Sequence, residues 1–144
     1  MLDWLARLFE RPEEPVPECE LAALGQVHWS EDDEAWRGCF NGISYLLSYE
    51  GRVTPAEDLI AYAFRMLDDK EAFLAAIHAA KLAGLAEYPL FYSDEISGLS
   101  LGLVYFFRNK QQFRILADLD GGLDCRAWRV EFLGDHCEGI GFDS

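Results

Sequence analysis

Three aspartates in the last third of the chain have a spacing suited to metal chemistry. Asp118, Asp120 and Asp124 stand at the first, third and seventh positions of a calcium-loop pattern, with Gly121-Gly122 between them to bend the backbone. The last position of such a loop needs a bidentate glutamate. Arg129 stands there instead, and no helical pattern flanks the segment. Asp-Gly between two apolar runs is therefore read as a solvated turn joining strands. The alternative is a small enzyme or metal-binding protein built on the Asp118–Asp124 loop. That reading needs these carboxylates, with His136, to converge in a cleft with shifted pKa values.

Other catalytic chemistry has little to build on. Cys19, Cys39, Cys125 and Cys137 form no C-x-x-C pair, and His28, His78 and His136 show no zinc-finger spacing. No G-x-S-x-G elbow is present, and no motif pairs a nucleophile with a base. Gly98-x-x-x-Gly102 lacks the Lys-Ser/Thr that a phosphate loop requires. The expectation is a protein without catalytic residues, metal or cofactor. The residues that stand out are instead Glu31-Asp32-Asp33-Glu34, flanked by Trp29 and Trp36. Aromatic anchors ringed by charge are the composition of a protein-binding hot spot.

The charge balance points the same way. The chain carries 26 Asp+Glu against 12 Lys+Arg, a net charge of −14. Such a field repels nucleic acid and anionic membranes, and it steers basic partners at long range. It is concentrated at the front: residues 1–50 hold 11 acids and 3 bases, whereas residues 101–144 hold 7 and 5. With 51% apolar and 14% aromatic residues the chain still folds, because it can bury enough surface to offset ordering. No run has the apolar length of a membrane span, and Met1–Arg11 contains an early acid and no small-residue cleavage site. The expected compartment is the cytoplasm, with thiols reduced.

The elements that must position these residues are legible from periodicity and turn chemistry. Leu2, Leu5, Leu8 and Phe9 recur at helical spacing, so a short N-terminal helix is expected, followed by a Pro/Glu-rich linker to residue 20. A single domain is expected over residues 21–144. Residues 24–30, 35–40 and 43–49 read as strands, with the acid run as the first turn and Asn41-Gly42 as a tight hairpin. Thr54-Pro55-Ala56-Glu57 reads as a capped helix start, with Leu59, Ile60, Ala63, Phe64 and Leu67 on one face. Asp68 and Glu71 open a second helix burying Phe73, Leu74, Ile77 and the stem of Lys81, ending near Gly84. Residues 98–107, 112–118 and 126–133 alternate as strands. The order β-β-β-α-α-β-β-β predicts an α+β fold: a largely antiparallel sheet of about six strands with two central helices packed on one face.

Several of these segments form a further pattern. Gly25 to Trp29, then Trp36-Arg37-Gly38, a helical middle, a strand starting near Ile96, and a closing Trp128-Arg129-Val130-x-Phe132 strand run over residues 24–143. This pattern resembles small bacterial domains encoded near polymorphic toxins, including immunity-type proteins. The resemblance implies a protein that neutralises a cognate, basic toxin by tight binding in the cytoplasm of the producing cell. The expected binding surface is Trp29, Glu31, Asp32, Asp33, Glu34 and Trp36, together with Asp118, Asp120 and Asp124. An adaptor or structural subunit is the remaining alternative, suited by the proline-rich tether.

Overall fold

Asn41 and Gly42 both adopt left-handed backbone angles (φ 52° and 77°), the conformation a two-residue hairpin requires. The Asn41 side-chain amide donates to the Leu67 carbonyl at 3.0 Å, so the turn is tied to a helix end as well as to its own strands. The computed structural model describes residues 14–123 and 125–143. Among the described residues, eight strands follow one another in a single sheet: β1 (Glu18–Leu21), β2 (Gly25–Ser30), β3 (Ala35–Phe40), β4 (Ile43–Ser48), β5 (Ser100–Asn109), β6 (Gln112–Asp120), β7 (Ala127–Leu133) and β8 (His136–Asp143). All neighbours are antiparallel except β4 and β5. A parallel pair cannot be closed by a hairpin. The helices occupy that one crossover: α1 (Glu57–Asp68), α2 (Lys70–Glu87), a 3-10 turn (Leu90–Tyr92) and α3 (Ser93–Ser97). The fold is two four-stranded meanders set side by side.

The expected α+β class with a mostly antiparallel sheet stands, but the sheet has eight strands rather than six. The sheet begins at Glu18, inside the segment read as linker. Its alternation is short, and Glu18 and Glu20 face solvent while only Leu21 is fully buried. Charge on an edge strand blocks further pairing, and it also hides the strand from a hydrophobicity pattern. At the other edge, β8 contains Gly139 at φ 128°, opposite the irregular step between Glu131 and Phe132. Glycine lowers strand propensity but permits this bulge. Met1–Arg11, the expected N-terminal helix, lies outside the described residues.

The helix boundaries also shift. Thr54 does not cap α1; the N-cap is Ala56, without a side-chain bond, because Pro55 and Ala56 are themselves buried. Asp68 still belongs to α1, and Asp69 caps α2 by accepting from the Ala72 amide at 3.2 Å. Gly84 does not stop α2, which continues to Glu87. Among the described residues no helix is long and apolar enough to cross a membrane.

Register explains the core. Tyr45, Val104, Ala117, Val130 and Ile140 form one cross-strand row, and Trp36, Leu47, Phe106, Ile115 and Phe132 form the next. The helices cover this face. Tyr62 of α1 meets Phe106 edge-on at 5.8 Å, Phe64 meets Phe40 at 5.7 Å, and Phe73 of α2 stacks on Phe132 at 5.4 Å. Each such side chain contributes about 1.5–3 kcal/mol by leaving water.

At Gly84 helix α2 comes close to β8. A Cβ there would lie 2.6 Å from Ile140 Cγ2. Gly84→Ala gains about 1 kcal/mol of helix propensity, but overpacking costs about 1–3 kcal/mol. The variant is expected to be less stable than the native chain in urea denaturation. A rise in midpoint would contradict this packing.

Candidate partner-binding site

The acid run sits where β2 turns into β3, and its geometry is fixed from within. Ser30 Oγ donates to Asp33 Oδ2 at 2.8 Å and accepts from the Asp33 amide at 3.3 Å. Glu34 takes a left-handed φ of 50°, and its amide donates to the Glu31 carbonyl at 3.3 Å. Asp33 is further engaged by Arg37 at 3.7 Å. Asp33 therefore serves the turn. Glu31, Asp32 and Glu34 are exposed, and none has an ion-pair partner among the described residues.

Beneath the turn lies an aromatic triad. Trp29 meets Trp36 at 5.1 Å and Tyr49 at 5.2 Å, both edge-on. The two tryptophans pair across β2 and β3, and Trp36 pairs with Leu47 of β4. Trp36 is wholly buried, and its indole donates to the Val16 carbonyl at 3.4 Å. It is a core residue, not the exposed anchor expected of it. Trp29 and Tyr49 are half-buried. With Glu14, Pro15, Glu31 and Glu34 they line a cleft of about 300 Å³.

The walls of this cleft are held by neighbouring elements. The segment before β1 is pinned by bonds from the Val16 amide to the Val53 carbonyl (2.9 Å) and from the Trp29 amide to the Pro17 carbonyl (2.8 Å). The chain after Tyr49 is clamped by Arg108 of β5, which grips Glu50 at 2.8 and 2.9 Å and Asp58 at 2.5 and 2.9 Å. Hydrogen bonding from Arg108 lowers the Asp58 pKa, so the clamp stays charged over the neutral range.

Asp118 and Asp120 are elsewhere. Each hairpin reverses the chain, so the β2–β3 turn and the end of β6 lie at opposite ends of the strands. Glu31–Glu34 and Asp118–Asp120 are therefore not neighbours on the sheet. Asp118 pairs in register with Arg129, which is bonded to Glu131 at 3.0 Å and to Asp143. Partial desolvation pushes the Asp118 carboxyl up, Asp120 adds to this, and Arg129 opposes it. The Asp120 carboxylate packs where a side chain on Gly102 would be. Asp124 lies outside the described residues. Among the described residues no three His, Cys, Asp or Glu side chains gather as a metal site. His28, His78 and His136 are exposed.

Sequence reasoning missed two features. Tyr49 read only as one more residue of a strand face, and Glu14 only as linker. The other is Glu95 of α3, whose side chain is 6% exposed. It accepts from Arg126 Nε at 2.9 Å, from a second Arg126 nitrogen, and from the Trp128 indole. Arg126 also lies 5.0 Å from the centre of the Tyr92 ring. The arginine, aided by the indole, holds the Glu95 pKa down to about 2. This carboxylate is unsuited to general-base work, because its lone pairs are taken and its basicity is low. It locks α3 to β7.

The folded pKa lies below the ordinary glutamate value, so this stabilisation is fully present above that value. It is lost as pH falls through about 2. Glu95→Gln is expected to lower Tm at neutral pH and to flatten the acid limb of Tm against pH. Parallel curves for the two proteins would contradict the assignment. In comparisons with known proteins, no family model, no curated protein and no solved structure matches this chain.

Proposed function

We propose that this chain is a non-catalytic binding protein, an immunity-type inhibitor that neutralises a basic toxin domain by tight protein–protein association. The observation that carries the reading is the β2–β3 turn. It is braced by Ser30 and Asp33, yet it presents Glu31, Asp32 and Glu34 to solvent without ion-pair partners among the described residues. Unneutralised carboxylates set close together on a braced turn are a standing cost in self-repulsion, which a cationic surface relieves on binding. The net charge of −14 extends that attraction over the approach of a partner.

Deletion of the gene in its own bacterium tests the reading. The deletion strain is expected to be poisoned, and further deletion of a neighbouring gene encoding a basic protein restores growth. A deletion strain that grows normally while that neighbour is expressed overturns the inhibitor reading.

A further inference from the structure

The cleft between Trp29 and Tyr49 is built differently from a site for an apolar anchor. Its aromatic side is the pair Trp29 and Tyr49, which touch edge-on with centroids 5.2 Å apart, and Glu14, Glu31 and Glu34 complete the lining with Pro15. No Lys or Arg lines it among the described residues. Its volume of about 300 Å³ is at the small end of ligand sites, enough for one long side chain. Aromatic faces attract a cation through the ring quadrupole, and carboxylates at the rim accept charge-assisted hydrogen bonds from the same cation. An arginine satisfies both. Its planar guanidinium stacks on the indole, presents donors in a fork, and sheds water more readily than an ammonium.

We infer that this cleft receives an arginine side chain of the basic partner, with Trp29 and Tyr49 as walls and Glu31 and Glu34 as acceptors. This deepens the inhibitor reading and rests on it for the identity of the partner. Trp29 is then part of the wall of a receiving pocket rather than a knob inserted into another protein. The turn braced by Ser30 and Asp33 sets the spacing of the two acceptors, and the Arg108–Glu50 clamp sets the Tyr49 wall.

The test uses the full chain with N-acetyl-arginine amide as probe and N-acetyl-citrulline amide as its uncharged isostere. Binding is followed by the indole N–H resonance of Trp29. Arginine amide is expected to shift this resonance in the millimolar range, with citrulline amide weaker by about tenfold or more. The double variant Glu31→Gln/Glu34→Gln, exposed and isosteric, is expected to weaken arginine binding by about tenfold. A control, Glu20→Gln/Glu71→Gln, removes the same charge from exposed positions outside the cleft and is expected to stay within about twofold of the native chain.

Equal binding of arginine and citrulline, equal loss in both double variants, or an unmoved Trp29 resonance overturns the inference. A basic partner held equally by native chain and Glu31→Gln/Glu34→Gln variant also removes the cleft, leaving the inhibitor reading intact. Arginine binding in the cleft without any poisoning in the deletion strain removes the inhibitor reading and leaves the cleft.

Discussion

Replacing Glu31, Asp32 and Glu34 with lysine is expected to slow association with the proposed basic partner by about tenfold or more and to flatten its salt dependence. Each reversal changes the charge by two, taking the chain from −14 to −8. The change in overall charge is moderate, but the location matters more. Screening confines exposed charges to about 8 Å at physiological salt, so those nearest the contact dominate steering. Asp33 is left in place because it is bonded to Ser30 and Arg37, and losing it would confound turn stability with charge. Dissociation should rise as well, since Glu31 and Glu34 line the cleft. Stopped-flow mixing over a range of salt separates the two effects. Association rates that match the native chain at every salt concentration would place the contact elsewhere.

Trp36→Ala should have the largest effect on stability, about 3–5 kcal/mol. Total stability for a domain of this kind is about 5–15 kcal/mol, so the loss is a large share of it. Trp36 has no exposed surface, packs on Trp29 and Tyr49, and ties the indole to Val16. Its removal leaves a cavity under the cleft and frees the carbonyl of the segment that forms one wall. Trp36→Phe keeps most of the volume and should cost well under half as much. Urea midpoints, read with an unchanged denaturant slope, give both values. A loss under about 1 kcal/mol for the alanine variant would mean that the ring is not core.

The parts of the fold that were legible in the sequence had local causes. Asn41-Gly42 forms a hairpin because both residues tolerate positive φ. Strands β6 and β7 show their alternation because one face packs under helices, whereas in β5 an irregularity between Leu101 and Val104 puts Val104 and Phe106 on the buried face. What the sequence hid was set by tertiary context. In β1 the charges needed at an open edge obscure the strand, and in β8 the glycines needed for a bulge do the same. Gly84 looks like a helix stop but is a close contact with Ile140, several strands away along the sequence. At the candidate site, Trp29 and Glu31–Glu34 were visible as a cluster because one hairpin carries them. Tyr49 and Glu14 were not, because they reach the cleft from β4 and from the segment before β1. Asp118 and Asp120 are not beside that cluster for a topological reason: the end of β6 and the β2–β3 turn lie at opposite ends of the strands. The Glu95–Arg126 pair spans a helical crossover and a strand, and no local spacing announces it.

The most direct measurement of the central claim is affinity capture of the tagged chain in extracts of its source cells, at low and high salt, with mass spectrometry of what is retained. The account predicts one basic protein, encoded beside this gene, held at low salt by the native chain and released from the Glu31/Asp32/Glu34 lysine variant. Capture of no basic chain from cells that express the neighbouring genes, or equal retention by both baits at every salt concentration, would contradict it.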